Sequence, residues 1–347
     1  MLWGNKEIIG LDIGSSSVKI AEIKQTRQGG YQLRNIGEAF LPQGAIVNKA
    51  VVNSDPVVDA ISNLMNDLKI KTRNAVISIS GHFVNIKKVS LPKMNERELR
   101  EAIPWELDQY MPHSIEDVNY DFQILPGETP EGNMDVLIVA AKKDVTSSYI
   151  SLASDAGLNP VVVDVDVFAL ENMYDMNYSD SKGVVALVNI GASVTNINIL
   201  KDGLSIFTRD VSIGGREFTD WIQREFSVDY EEAEEMKLSL GSAEASPDLD
   251  RLAHDFIDLV CGEIKRTLEF FCKTLWKEEV DKIVLGGGSS KVPQIKERLK
   301  QVTGATVEIV NPFKNITFSD KDFDPDYIRD IAPKMGVVVG LALRRSE

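Results

Sequence analysis

Residues 9–20 read IGLDIGSSSVKI, and residues 187–199 read LVNIGASVTNINI. Each is an apolar run, then an Asp or Asn, then Ile-Gly, then small hydroxyl residues, then a second apolar run. The first places Asp12, Gly14, Ser15, Ser16 and Ser17; the second places Asn189, Gly191, Ala192, Ser193 and Thr195. Apolar runs flanking a short polar turn predict two strand–turn–strand units. Glycine lets backbone come close to a ligand, and the N–H groups and hydroxyls of such a turn can surround phosphate oxygens. An Asp at a strand end suits Mg2+ held through water, because Mg2+ keeps several of its waters. Two copies of one turn predict two related halves that close on one phosphorylated ligand.

The length, 347 residues, exceeds one typical core and favours two domains. A net charge of -15 argues against a nucleic-acid-binding surface, which needs basic patches. The two cysteines, Cys261 and Cys272, have neither metal nor disulfide spacing and read as reduced buried thiols. The three histidines are scattered and form no cluster in sequence. No apolar run is long enough to span a membrane, and the start, MLWGNKEIIG, lacks the pattern of a signal peptide. These features predict a cytoplasmic protein without direct membrane insertion.

Outward from the first turn, apolar spacing predicts a helix over Asp55–Leu68, and NAVISIS at 74–80 a buried strand. Asn95 and Glu98 form a capping-box pattern, followed by Leu99, Ile103, Leu107 and Met111 at intervals of four. Pro104 inside that pattern predicts a kink or break. Strands are expected at 84–91, 118–125, 135–141 and 160–165, with a helix at 144–156. That order, β-α-β-β-α-β over residues 84–165, predicts a self-contained α/β subdomain. In the second half the expectations are a strand at 204–211 and helices at 216–226, 230–240 and 249–276. A strand at 281–285 then runs into Gly286-Gly287-Gly288, with a helix at 291–302. The apolar stretch MGVVVGLALR reads as a core helix, its Gly336 and Gly340 allowing close backbone packing.

Two further motifs carry chemistry. IVLGGGSSKVP at 283–293 is a strand feeding glycines, which lets a flat ligand lie against backbone. It is not the GxGxxG of a dinucleotide-binding unit. Glu234 and Lys237 lie three apart on one helix face, as an ion pair or as ribose and base contacts.

These signals, in this order, resemble the actin-like ATPase superfamily: actin, sugar kinases, chaperone ATPases, MreB and FtsA. The resemblance implies an α/β, actin-like (ribonuclease-H-like) fold of two half-domains. Asp12 to Lys19 is similar to the first phosphate loop, Asn189 to Thr195 to the second, and Gly286, Gly287 and Gly288 with Ser289 to the adenosine motif. Glu234 and Lys237 match the helix that grips adenosine, and Gly214 and Gly215 join the cofactor set. Val167–Tyr174 and Gly336–Leu343 resemble the two connecting helices. Residues 91–125, LPKMNERELREAIPWELDQYMPHSIEDVNYDFQIL, narrow the resemblance to the PilM family of type IV pilus assembly proteins, an FtsA-like branch with its own inserted subdomain.

The implied organisation is a first half-domain of residues 1–83, 164–182 and 326–347; an insertion at 84–163; a second half-domain of 183–211 and 277–325; and a helical subdomain at 212–276. The implied ligands are ATP and Mg2+, with Asp12 and Asn189 as the metal positions. The second phosphate loop of the superfamily usually begins with Asp; Asn189 keeps an acceptor oxygen but loses the charge. Asp166, with Asp164 beside it, is the candidate for positioning a nucleophile. The expectation is therefore at most a slow ATPase. The implied role is a scaffold at the inner face of the cytoplasmic membrane. Its implied partner is the cytoplasmic N-terminal tail of a PilN-like membrane protein, bound between the first half-domain and the insertion; pilus motor ATPases are further implied partners. The alternatives are a small-molecule kinase, disfavoured by Asn189, and an FtsA-like filament protein, disfavoured because no amphipathic tail follows the last apolar helix.

Overall fold

The computed structural model describes residues 7–110, 114–126, 132–178, 183–241, 246–276 and 278–344. The chain begins with β1 (Ile9–Ile13), β2 (Ser17–Gln25), β3 (Tyr31–Phe40), a short hairpin of β4 (Ile46–Val47) and β5 (Ala50–Val51), α1 (Asp55–Asp67) and β6 (Asn74–Ile79). An insertion follows: β7 (Val84–Pro92), α2 (Glu96–Tyr110), β8 (Val118–Ile124) and β9 (Asn133–Lys142). The chain returns through α3 (Lys143–Asp155), β10 (Asn159–Val165) and α4 (Asp166–Tyr178). The second half comprises β11 (Val184–Ile190), β12 (Thr195–Lys201), β13 (Leu204–Val211), α5 (Gly215–Phe226), α6 (Tyr230–Leu238), α7 (Pro247–Phe270), β14 (Lys282–Gly286), α8 (Ile295–Thr303) and β15 (Thr306–Ile309). It ends with β16 (Ile316–Thr317), α9 (Pro325–Ile331) and α10 (Gly336–Leu343).

The two main sheets share one topology. The first runs β10-β6-β1-β2-β3, with β16 added beside β3, and the second runs β15-β14-β11-β12-β13. In each, an antiparallel meander of three strands continues into two parallel strands on the other side of the first. The repeated turn phrase thus belongs to a repeated sheet.

Strand alternation sorts the core into layers. On β11, Ala186, Val188 and Ile190 face the helices α5–α8, while Val185 and Leu187 face α4 and α10. On β1, Ile9, Leu11 and Ile13 join α1 and α3 on the outer side. Helices α4 and α10 therefore lie between the two sheets, sharing one cluster with strands of both halves. Gly340 makes their contact possible, because a Cβ there would overlap the Ala169 carbonyl of α4. This is the close backbone packing expected at Gly340, whereas Gly336 packs against the Leu170 side chain.

The insertion is smaller than the spacing suggested. Strands β7-β9-β8 form their own sheet, covered by Leu99, Ile103 and Leu107 of α2. Strand β10, however, pairs in parallel with β6, and α3 buries Tyr149 and Leu152 in the outer core of the first half. Residues 143–165 therefore belong to the first sheet's layers and touch the insertion only along a seam, because their apolar faces complete that sheet's edge and outer layer. The expected break at Pro104 is also absent: α2 is continuous through it. Leu99, Ile103 and Leu107 hold both halves of the helix to one sheet, which offsets the hydrogen bond that proline lacks. Met111 lies outside the described residues. The helix expected from Lys291 begins at Ile295 instead, after Pro293 and a left-handed Gln294 at φ 70°. Cys261 is buried as expected, whereas Cys272 is half-buried.

Candidate functional site

The two turns are built alike and open onto one cleft. Gly14 N–H donates to the Ser17 carbonyl at 3.0 Å, and Gly191 N–H to the Val194 carbonyl at 3.0 Å. The strand registers match as well: Asp12 sits opposite Lys19 as Asn189 sits opposite Asn196. Both turns line a cavity of about 400 Å³ between the halves. Asp12, Gly14, Ser15, Ser16, Ser17 and Lys19 come from one side, and Asn189, Gly191, Ala192 and Ser193 from the other. Gly215, Glu234, Lys237, Gly287, Gly288 and Ser289 line one end, and Asp166 also reaches the cavity.

Three expected residues stand behind the wall. The Thr195 hydroxyl donates to the Ile213 carbonyl at 2.8 Å and is buried. Its register counterpart in the first half is Val18, so it continues the strand and does not belong to the turn. Gly214 is packed against the carbonyls of Gly191 and Ala192, and Gly286 against Val310 and the Pro333 carbonyl. Both are places of close approach that brace the site.

The electrostatics differ between the two jaws. Lys19 Nζ donates to Asp12 Oδ2 at 3.3 Å and lies 4.0 Å from Glu38. Glu38 also accepts from Ser17 at 2.7 Å and Lys334 at 2.6 Å. Burial opposes the Glu38 charge, but Lys19, Lys334 and Ser17 together hold its pKa below the ordinary carboxylate value. The second jaw carries no charge at the equivalent place. Asn189 Nδ2 donates to Asn196 at 3.3 Å, and Asn196 donates to Asp210 at 2.8 Å. Asp210 in turn accepts the Gly81 N–H at 2.6 Å, tying β13 of the second half to the end of β6 in the first.

At the far end, Glu234 accepts from Lys237 at 2.5 Å and from Thr219. Lys237 also reaches Thr219 at 2.8 Å. Burial pushes the Lys237 ammonium down, with Glu234 opposing it. Gly287, at φ 88°, turns its backbone over the end of β11, where a Cβ would overlap Ile190.

Two further residues of the cleft were not legible beforehand. Lys49, on the β4–β5 turn, pairs with Asp166 at 3.0 Å on the cleft floor. Asp166 also accepts from Ser78 at 2.6 Å. Burial would raise the Asp166 pKa, but Lys49 and Ser78 lower it instead. A lone lysine within AIVNKAVV at 45–52 has no periodic signature of its own, so only the fold brings it to Asp166. Arg216 is the second: its Nη2 donates to the Ser15 carbonyl at 2.9 Å, crossing from α5 to the first turn. The Gly-Gly-Arg run at 214–216 was its available signal.

Three buried polar atoms in this cleft have no partner among the described residues: Ser15 Oγ, Ser193 Oγ and Arg216 Nε. Leaving such groups unpaired costs roughly 1–3 kcal/mol each. Two hydroxyls, one from each turn, and one guanidinium nitrogen fit the oxygens of an anion. Among the described residues, no group of three His, Cys, Asp or Glu side chains is arranged to hold a metal. The donor set therefore suits a cation carried in by a polyphosphate better than a resident metal.

A sequence model of the family "Type IV pilus assembly protein PilM" matches residues 10–346. The chain belongs to the PilM family. Its fold is also similar to a solved "PilM-PilN type IV pilus biogenesis complex", with 28% identity, 98% of each chain covered and a TM-score of 0.88. The cell division protein FtsA of Bacillus subtilis is 20% identical over 89% of this chain and 79% of its own length. The ethanolamine utilization protein EutJ of Carboxydothermus hydrogenoformans shares the fold at 15% identity, covering 96% of this chain and 88% of that one, with a TM-score of 0.58. This PilM-family chain thus has the expected actin-like ATPase architecture and sits beside the FtsA branch.

Proposed function

We propose that this chain is a cytoplasmic, ATP-binding scaffold of type IV pilus assembly, which docks the N-terminal tail of a PilN-like inner-membrane protein. Family membership and the likeness to a PilM-PilN complex support the scaffold role. One observation carries the nucleotide part: two equivalent turns meet across one cleft, each with a buried serine hydroxyl that lacks a partner among the described residues. The first and second turns hold phosphates through backbone N–H groups, Ser15 and Ser193. Glu234 and Lys237 flank the nucleoside, and Gly287 and Gly288 offer it a flat backbone surface.

Bound Mg2+ supplies neutralisation of phosphate charge, with Asp12 as its protein-side carboxylate. Asn189 brings no second charge, and Asp166 is occupied by Lys49, with its pKa held low. A carboxylate with a lowered pKa is a poor proton acceptor. Turnover is accordingly slow, and ATP serves to close the halves.

The partner tail lies along the seam where α3 of the first half meets the insertion. Lys143 at the start of α3 donates to the Glu116 carbonyl, just before β8, at 2.6 Å. Both elements carry exposed apolar side chains: Tyr120 and Ile124 on β8, and Ile150 on α3. Among the described residues no helix is long and apolar enough to cross a membrane, so recruitment through a membrane partner fits. Pilus motor ATPases are further partners under this proposal.

Titrating a labelled PilN-type N-terminal peptide into the protein, with and without ATP and Mg2+, tests the proposal. Binding in at least one state is expected. Absence of binding in both states refutes the docking role, and a failure to retain ATP refutes the nucleotide role.

A further inference from the structure

Lys49 has one end in the cleft and the other tied to the helix of the seam. Its ammonium meets Asp166 Oδ2 at 3.0 Å on the cavity wall. Its backbone carbonyl accepts the hydroxyl of Tyr149, on α3, at 3.0 Å. Tyr149 is 1% exposed and packed in the outer core, so the ring cannot swing aside.

The turn itself is strained. Asn48 and Lys49 both hold left-handed backbone, with φ of 49° and 69°. Asparagine tolerates this region, but a long side chain such as lysine adopts it at a disadvantage of roughly 1–2 kcal/mol. Strain of this kind persists where the surroundings enforce it, and it clusters at ligand clamps and switches. Here the two-residue loop of the β4–β5 hairpin imposes the left-handed backbone, and the Asp166 ion pair and the Tyr149 hydroxyl hold the turn at its two ends.

Asp166 does not depend on Lys49 alone, since Ser78 also donates to it at 2.6 Å. The ammonium additionally feels the Asp12 carboxylate of the first turn. A terminal phosphate held between the turns bears more negative charge than Asp166 and competes for the same ammonium. Lys49 thus has two partners to choose between, one present only with nucleotide. Because the turn is two residues long and anchored at its carbonyl, the choice is felt by Tyr149.

We propose that Lys49 is a ligand of the nucleotide's terminal phosphate, and that its hydrogen bond to Tyr149 transmits nucleotide occupancy to α3 and so to the partner seam. This rests on the reading that nucleotide fills the cleft and the partner tail fills the seam. Thermodynamic linkage makes the effect reciprocal: the tail changes ATP affinity by the factor by which ATP changes tail affinity.

The test uses Tyr149→Phe, which removes one oxygen and keeps the ring. The affinity of the PilN-type peptide is measured with and without ATP and Mg2+. In the parent protein the two affinities should differ by about fivefold or more, a usual size for coupling between sites. In Tyr149→Phe the ratio should fall towards one, with the melting temperature and ATP affinity close to those of the parent. Lys49→Met combined with Asp166→Asn, which leaves no unpaired buried charge, should weaken ATP by about tenfold. An unchanged ratio in Tyr149→Phe, an uncoupled parent protein, or unchanged ATP affinity in the double variant overturns the inference while leaving the scaffold role intact. A parent protein that binds neither ATP nor peptide overturns the functional reading itself, and this inference with it.

Discussion

Asn189 and Asn196 face each other across β11 and β12 at 3.3 Å, in the place where Asp12 and Lys19 face each other across β1 and β2. One turn is thus backed by an ion pair and the other by an amide pair. The fold is duplicated, but the chemistry at its two centres is not.

Restoring the acid tests that difference. Asn189→Asp adds a carboxylate beside Asn196 and near the Asp210 network. Mg2+-dependent ATP binding should tighten by about tenfold, because ligand charge tunes affinity for hard cations. Titration calorimetry over a range of Mg2+ concentrations measures it, and an unaltered Mg2+ dependence removes position 189 from the metal environment.

Asp12→Ala acts on the other jaw. It deletes the carboxylate and leaves Lys19 beside Glu38, so the turn keeps its fold. Mg2+-dependent ATP retention on a desalting column should be lost. Retention equal to that of the parent would reduce the first turn to a plain hairpin.

Gly340→Val addresses the packing of α4 against α10. The added atoms collide with the Ala169 carbonyl, which is backbone and cannot rotate away. Overpacking typically destabilises by about 1–3 kcal/mol, and an immovable backbone carbonyl puts this site at the upper end. Urea denaturation should show a lower midpoint, and a midpoint within error of the parent contradicts the close approach.

Glu171, on α4, provides a pH signature. Burial, reinforced by Asp175, pushes its pKa up from 4.5 to about 7. In the unfolded chain the group loses its proton near 4.5, whereas the folded protein keeps it until about 7. Between those values the folded state binds more protons, so its contribution to stability falls as pH rises through that window and is level above it. Glu171→Gln should show a smaller loss of urea midpoint between pH 5 and pH 8 than the parent. Equal losses would show that Glu171 does not titrate in this window.

Local patterns carried much of this structure. The strand–turn–strand phrase marked both hairpins, and Asn95 and Glu98 make the expected reciprocal cap, at 2.9 Å and 3.0 Å. Spacing failed where a choice of partner was needed. Nothing within NPVVVDV says whether β10 pairs with β6 or with the insertion; the edge of the first sheet decides it. Thr195 looked like a turn hydroxyl because its neighbours are, yet the register makes it the counterpart of Val18. Lys49 meets Asp166 across 117 positions of sequence, a distance over which no periodicity operates.

Helices α4 and α10 belong to the hydrophobic cluster that both sheets share. Neither half can melt without stripping the cover from the other. Heating should therefore produce a single calorimetric transition, with van't Hoff and calorimetric enthalpies in agreement, where two independent halves would give two. Two sheets built on a common helical spine live or die as one cooperative unit.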